Sequence, residues 1–207
     1  MKRWPVICPK GARVIITQGF KPTHDAVDFV IWNDNFSERE NYRLSYGSQL
    51  VCPVPEAKCV LINDFGTMNP LGNGVDIEWQ EDGFYWRLHF WHTVYNELLL
   101  NQLVKEGELI GLIGNTGDCR PVPTANEPYE GTHCHMRLSR YHKDAYGFGN
   151  IDIESLDPRF YFDILSPYVG NDSNVVVDLQ PIYWAWGKLG IISTFDKLMY
   201  LLLKIFK

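Results

Sequence analysis

The chain has 207 residues and a mass of 24.0 kDa, enough for one sizeable hydrophobic core with an appendage. Hydrophobic residues make up 45% and aromatic residues 14% of the sequence, which excludes an intrinsically disordered protein. The formal net charge of -6 argues against a nucleic-acid binder, because phosphate recognition usually requires a basic face.

The amino terminus carries positive charge at Lys2 and Arg3 but lacks the apolar stretch of about 7 to 15 residues that a secretory signal requires. We therefore predict no signal peptide and synthesis in the cytoplasm. The five cysteines include no C-x-x-C motif, so neither a disulfide framework nor a cysteine-type zinc site is indicated. Cys52 and Cys59 flank a turn-like segment and would face each other across a hairpin, although free thiols are the expected state.

The first part of the chain predicts short strands separated by polar turns. Residues 12–20 (ARVIITQGF) are rich in β-branched side chains and predict a strand. His24 and Asp28 follow, and their i to i+4 spacing places them on one face of either a strand or a helix. Asp28 lies among apolar neighbours, so we expect it to be buried and to need a cation or hydrogen-bond donors. Residues 33–48 are polar and rich in turn-forming residues, which predicts a surface excursion.

Four further strands are predicted, at residues 50–52, 59–62, 75–79 and 84–92. In the last of them, alternation places His92 on one face and His89 on the other. Both faces are aromatic, so periodicity alone does not decide which histidine enters a site. Four aromatic side chains are candidates either for the core or for the lining of a groove: Trp86, Trp91, Tyr129 and Tyr141.

Residues 93–104 predict a connector that includes a helix (NELLLNQLV). Residues 108–114 (ELIGLIG) predict a strand whose glycines allow another backbone to approach closely. Residues 114–117 (GNTG) predict a turn rather than a phosphate loop, because the Walker lysine is missing. Together these elements predict a mainly β fold, an antiparallel sheet sandwich or barrel with a groove.

The segment Gly131–Leu138 (GTHCHMRL) contains two histidines two residues apart. On a strand His133 and His135 would project from the same face, with Cys134 opposite to both. Two histidines and one carboxylate leave a tetrahedral zinc ion one open position, which is the composition of a catalytic site. A zincin that uses a glutamate base is excluded, because no H-E-x-x-H motif occurs.

The order of these motifs resembles that of the lysostaphin/LytM-type zinc endopeptidases, which cut peptide bridges of peptidoglycan. The resemblance covers roughly residues 14–162. The ordered motifs are Ile16–Phe20 (ITQGF), His24-xxx-Asp28, Trp91–Thr93 (WHT), Val104–Gly117 (VKEGELIGLIGNTG), His133–His135 (HCH) and Leu156–Pro158 (LDP).

The resemblance implies a fold with a duplicated hybrid motif and an active-site groove. It also implies one Zn2+ per chain with His24, Asp28 and His135 as ligands, and His92 and His133 as catalytic histidines. The metal would activate water and polarise the scissile carbonyl, while the two histidines move protons. The implied substrate is a peptide of peptidoglycan. The alternative is a binding protein rather than an enzyme: a catalytically silent module that binds cell wall or a partner protein through the same groove.

The sequence departs from the family pattern at three places. Ala26 stands where the family usually has glycine, and the loop Asp118–Glu130 is longer. Met136 and Arg137 follow the two histidines, where the family usually has an aromatic and often an acidic residue. None of these changes removes an implied ligand. Without an export signal, we expect the protein to reach the cell wall after phage-type lysis from within, virion assembly or processing of a parent sequence.

We predict an endopeptidase domain over residues 1–166, and a linker with an amphipathic helical tail over residues 167–207. A helix that begins at Ile191 places lysines on one stripe beside a wide apolar face. Charges and glycines interrupt the apolar run, so it does not predict a membrane-spanning helix. Residues 182–207 therefore predict a membrane-surface helix or a partner-binding helix. The alternative is a helix that packs against the catalytic domain or pairs with a second copy of the chain.

Overall fold

The computed structural model describes residues 1–64, 70–144 and 150–169, apart from the side chain of Asp152. Over these ranges the chain forms twelve β-strands and one α-helix. In chain order they are β1 (Lys2–Cys8), β2 (Arg13–Gln18), β3 (Val27–Trp32), α1 (Glu38–Ser45), β4 (Gln49–Val51), β5 (Glu56–Asn63), β6 (Asn73–Glu81), β7 (Phe84–Asn96), β8 (Leu103–Lys105), β9 (Leu109–Ile113), β10 (Cys134–Lys143), β11 (Asn150–Leu156) and β12 (Phe162–Val169).

The strands form one sheet whose main path runs β12-β1-β4-β9-β7-β10-β3-β2. Among the described strands, β1 and β12 are a parallel pair, and the other pairings are antiparallel. The two ends of the path, β12 and β2, lie beside each other, so the sheet nearly closes like a barrel. The predicted mainly β, antiparallel architecture is confirmed.

The central strands β7 and β10 alternate between the core and the opposite face. Leu88, Phe90, Met136 and Leu138 are fully buried on the core side of the sheet. Cys134 shares that side, where complete burial raises the pKa of its thiol well above the usual value. His135 therefore projects from the other face, as the strand parity predicted.

A helix replaces the surface excursion predicted at residues 33–48. Ser37 caps α1, and its side chain and that of Glu40 form a reciprocal capping box. Ser45, at the other end of the helix, bonds both backbone groups of Ile31 on β3, accepting from the N–H at 2.9 Å and donating to the carbonyl at 3.0 Å. The Ser-x-x-Glu signature was present in the sequence, and α1 could have been predicted from it.

The helix predicted within residues 93–104 is wrong. Instead, β7 continues to Asn96, and β8 forms at residues 103–105. The extended backbone at Tyr95 pairs with β9, where an added Cβ on Gly111 would lie 2.7 Å from the carbonyl oxygen of Tyr95. The close approach predicted for the glycines of this strand is confirmed, and sheet pairing outweighs the helix propensity of the leucine-rich segment.

The cysteine hairpin predicted around Pro53 is also wrong. Cys52 follows β4, which pairs with β1 and β9, whereas Cys59 lies on β5, which pairs with β6 and β8. All five cysteines are buried and have free thiols, and free thiols were the state expected for Cys52 and Cys59.

The last described strand, β12, continues to Val169, beyond the predicted boundary at residue 166. Pro167, Tyr168 and Val169 pair with β1. The rest of the predicted linker and helical tail, from residue 170 onward, lies outside the described residues. Among the residues that are described, no helix has the length and apolar character needed to cross a membrane.

We expect Ser45→Ala to lower the free energy of unfolding by about 1–3 kcal/mol, because it leaves two buried backbone groups of Ile31 without their partner. Denaturant unfolding of the purified variants measures this loss. Ser48→Ala is the matched control, since the half-buried Ser48 donates a single bond to the carbonyl of Leu44. An equal loss in the two variants would show that Ser45 does not hold α1 against β3.

Candidate metal centre

Two paired strands bring the predicted metal ligands together. Asp28 on β3 lies directly opposite His135 on β10 in the antiparallel register. His24 precedes β3 in a tight turn, where its backbone exchanges two hydrogen bonds with Lys21, of 2.9 and 2.8 Å. The register of two strands and one local turn thus fix the position of all three side chains.

Three ligand atoms converge at this point. Asp28 Oδ1 lies 3.3 Å from His24 Nε2 and 3.0 Å from His135 Nδ1. His24 Nδ1 donates to the carbonyl of Gly19 at 3.2 Å, which leaves the lone pair of Nε2 facing the carboxylate. Burial acts to raise the pKa of Asp28, but contact with His135 and the charges of His133, His135 and His24 outweigh it, and the pKa lies below its usual value.

The residues fit a zinc ion. A tetrahedral zinc site with metal–ligand bonds of about 2.0–2.2 Å places its ligand atoms about 3.3–3.6 Å apart, close to the distances observed here. Asp28 Oδ1 is also buried, and no hydrogen-bond donor points at it among the described residues. A buried, charged oxygen facing a nitrogen lone pair is unfavourable unless a cation lies between them.

The two other histidines of the predicted site lie beside these three. Their ring centroids are 4.6 Å apart, and His133 Nε2 lies 4.0 Å from Asp28 Oδ2. Backbone carbonyls hold both rings: His92 Nδ1 donates to Thr116 at 2.7 Å and His133 Nδ1 donates to Gly131 at 2.8 Å. Each ring therefore keeps an unprotonated Nε2.

Both of these imidazoles favour the neutral form. Burial, followed by the nearby charge of His133, lowers the pKa of His92 to about 4. Burial likewise lowers the pKa of His133, although Asp28 acts in the opposite direction. Neutral imidazoles are able to accept protons at neutral pH.

His92 reaches the site through a β-bulge. Along β6 and β7, Asn73 pairs with Thr93 and Gly74 pairs with Trp91, so His92 is the extra residue. Its φ is +62°, in the left-handed region that side chains other than glycine rarely adopt. In a regular strand His92 would share the core-facing side of Phe90, and the bulge redirects its side chain to the groove.

The GNTG turn supports His92. Thr116 accepts the bond from the His92 ring with its carbonyl and donates its hydroxyl to the carbonyl of Thr93 at 2.9 Å. Gly117 adopts a φ of +82°, and an added Cβ would meet the Gly72 nitrogen at 2.4 Å. The turn predicted from the sequence therefore holds an imidazole in position, and it needs a glycine to do so.

A groove of about 340 Å³ opens onto this cluster. Its lining includes the exposed Gln18 and Arg120 and the half-buried Tyr42 of α1, a lining residue that sequence reasoning missed together with its helix. None of the four aromatic side chains proposed as groove candidates lines this groove. Trp86 stacks on Trp79 in the core, and Trp91 packs over Gly74. Tyr129 contacts Tyr46, and Tyr141 is buried beside Arg87.

Arg137, one of the departures from the family pattern, contacts the turn that carries His24. Its Nε lies 2.9 Å from Asp25 Oδ2, and both side chains bond Ser155 on β11. These side chains are substantially exposed, so the ion pair contributes about 1 kcal/mol or less. The contact ties the ligand turn to β10 and β11 without dominating the stability of the site.

His89, the other histidine on β7 that the sequence offered for the site, lies outside the cluster. Its Nδ1 lies 2.9 Å from Asp76 Oδ2, and its Nε2 lies 3.3 Å from Ser139 Oγ. This arrangement has the composition of a Ser-His-Asp triad. Asp76 and Ser139 are only 2% and 3% exposed, so no substrate reaches the hydroxyl, and the three residues form a buried polar link between strands.

No family model and no curated protein matches the chain. Among solved structures, the chain is similar to a zinc-containing peptidase from Vibrio cholerae, with 20% identity and a TM-score of 0.45, over 67% of this chain and 36% of the other. It is similar to the catalytic domain of lysostaphin from Staphylococcus simulans, with 18% identity and a TM-score of 0.43, over 78% and 90% of the two chains.

It is also similar to a chain in the complex of SpoIIIAH and SpoIIQ, with 13% identity and a TM-score of 0.49, over 78% of this chain and 100% of the other. The chain thus spans little more than a third of the length of the Vibrio cholerae peptidase that it matches. These similarities concern the fold.

Because the backbone at residue 92 is left-handed, we predict that glycine is a more stable replacement than alanine there, the reverse of the usual order in a strand. We expect His92→Gly to be more stable than His92→Ala by about 0.5–1 kcal/mol, because an alanine in this conformation is strained. At His89, where φ is not positive, alanine should be the more stable replacement by a similar amount. Denaturant unfolding in the presence of chelator measures both differences, and the same sign at the two positions would contradict a strained bulge.

Proposed function

We propose that the chain is a zinc-dependent endopeptidase that hydrolyses peptide bonds in the stem peptides or cross-bridges of peptidoglycan. One observation carries the proposal. His24 Nε2 and His135 Nδ1 lie 3.3 and 3.0 Å from Asp28 Oδ1, beside a second pair of imidazoles that lines the same groove. Two histidines and one carboxylate leave a tetrahedral ion one position for substrate or water.

His24, Asp28 and His135 would hold the zinc. When bound, the ion supplies Lewis-acid polarisation of a carbonyl and lowers the pKa of water to about 7. Asp28 balances part of the positive charge, and its buried position keeps the interaction strong. The Gly19 carbonyl accepts a hydrogen bond from His24 Nδ1 and so orients the ring, as carbonyl groups commonly do for ligating histidines.

His92 and His133 would perform the proton transfers. In peptide hydrolysis a water oxygen attacks the carbonyl carbon, the C–N bond breaks, and a proton of the water ends on the leaving amine. The Nε2 lone pairs of both rings are free to accept that proton, since Nδ1 of each ring is committed to a backbone carbonyl. A protonated Nε2 then donates to the amine, and while protonated it stabilises negative charge on the oxygen of the intermediate.

The groove is suited to an extended peptide. Its lining combines carbonyl-binding donors such as Gln18 and Arg120 with the ring of Tyr42 and with Asp118. Its volume of about 340 Å³ accommodates a few residues of substrate. The ordered motifs support peptidoglycan as the source of that peptide, and the net charge of -6 makes a nucleic acid a poor ligand.

We expect the purified protein to carry one zinc per chain and to release amino groups from peptidoglycan in a reaction that chelator stops. Asp28→Asn and His135→Ala should lose the metal, because they remove ligands. His92→Ala and His133→Ala should keep it and lose about a hundredfold to ten-thousandfold in turnover, because they remove proton transfer. Metal analysis and release of amino groups from several types of peptidoglycan measure the two effects separately.

His142→Ala serves as the control, since His142 is exposed on β10 and stacks on Phe84, away from the groove. If His89→Ala abolishes turnover while His92→Ala does not, the assignment of the catalytic histidine is wrong. If the zinc-loaded protein binds peptidoglycan but cleaves none of the types tested, the chain is the silent binding module that the sequence left as the alternative.

A further inference from the structure

A second group of metal-binding side chains adjoins the first. One ligand atom from each of His92, Cys119 and His133 lies within 4.8 Å of the others. Cys119 belongs to the long loop between the GNTG turn and the two histidines, and the resemblance to known endopeptidases assigns it no role. It is 1% exposed, so its thiol is shielded from solvent.

The orientation of the three side chains suits a shared ion. The Cys119 thiol donates to the carbonyl of Thr116 at 3.4 Å, the same carbonyl that accepts the bond from the His92 ring. Since His92 and His133 commit Nδ1 to backbone carbonyls, the lone pair left on each ring is at Nε2. The carbonyl of Thr116 thus holds the thiol close to the His92 ring, and each of the two rings keeps a lone pair at Nε2.

The distances require only a small adjustment. A tetrahedral site with metal–nitrogen bonds of about 2.0–2.1 Å and a metal–sulfur bond of about 2.3 Å separates its ligand atoms by about 3.3–3.6 Å. The ligand atoms lie at most 4.8 Å apart, so the distance between any two of them must shorten by at most about 1.5 Å to reach tetrahedral geometry. Rotation about the Cα–Cβ bond of Cys119 moves its sulfur by that amount.

We propose that His92, Cys119 and His133 form a second metal site, which takes a soft or borderline divalent cation such as Cd2+ or excess Zn2+. The donor set of one thiolate and two imidazoles favours such ions over Mg2+ or Ca2+. Binding releases the thiol proton to solvent and forms the metal–sulfur bond. The ion enters through the groove, which His92 and His133 line.

Occupation of this second site inhibits the enzyme. The cation engages both Nε2 lone pairs that proton transfer requires, so neither ring can accept a proton. This consequence rests on the proposed function, whereas the metal site itself does not. Excess zinc would thus act as an inhibitor at a site distinct from the one that holds the activating ion.

Titration of the metal-free protein with Co2+ tests the second site without any assay of activity. We expect two equivalents to bind, with a near-ultraviolet absorption band from thiolate-to-cobalt charge transfer. In Asp28→Asn the band should persist with one equivalent, because the second site keeps its ligands. In Cys119→Ser the band should disappear and the second equivalent should bind at least about tenfold more weakly.

Cys59→Ala is the matched thiol control, since Cys59 lies on β5 among the buried residues of the core. It should keep both the band and the second equivalent. Cys119→Ala serves as a second variant, and melting temperatures of the metal-free proteins show that each variant folds. A band that persists without Cys119, or a wild-type protein that binds only one equivalent, would overturn the second site.

Activity then tests the inhibition. Relative to its own rate at one equivalent of Zn2+, the wild-type protein should lose most of its cleavage as the second site fills, and Cys119→Ser should resist at the same zinc concentration. Equal sensitivity in the two proteins would overturn the inhibitory role. If the charge-transfer band appears in a protein that cleaves no substrate, the proposed function has failed and the second metal site stands.

Discussion

The buried carboxylate of Asp28 is the constraint on which the site depends. An ionised carboxylate away from water is costly unless positive charge or hydrogen-bond donors surround it, and here imidazoles from two segments of the chain face it in a cluster that could hold a metal cation. The antiparallel register of β3 and β10 places His135 opposite Asp28, and the Lys21 turn brings His24 to the same oxygen. A slip of one residue between these strands would turn His135 into the core, so the pairing that builds the sheet also builds the site.

The parts of the site that follow from regular geometry could be predicted from the sequence. His133 and His135 share a face because strand side chains alternate, and the apolar neighbours of Asp28 indicated its burial. The β-rich architecture followed from β-branched runs and turn residues in the same way. The short capping signature at Ser37 also carried the information needed to predict α1, but the polar composition of residues 33–48 obscured it.

Other features depend on long-range contacts that no local pattern shows. Leucine-rich residues near Leu99 have helix propensity, yet pairing of Tyr95 with β9 keeps the preceding chain extended. His92 is the clearest case, because parity did not decide which face of its strand enters the site. A bulge with a positive φ turns the His92 side chain from the core side of the sheet to the groove. A strained backbone is retained when surrounding contacts fix it, and the bond from the His92 ring to Thr116 provides one such contact.

Two of the three departures from the family pattern bear directly on this arrangement. Arg137 stands where the family often has an acidic residue, and it ties Asp25, next to a proposed ligand, to β10. Because that ion pair is exposed, its contribution is small beside the backbone bonds between Lys21 and His24, so it refines the ligand turn rather than creating it. The long loop has a larger effect, since it brings Cys119 against the two imidazoles and gives them a third, softer partner. The three proposed ligands thus keep their positions while the surroundings of His92 and His133, the proposed proton-transfer groups, change, and the proposed regulation by metal ions rests on the thiol that the loop supplies.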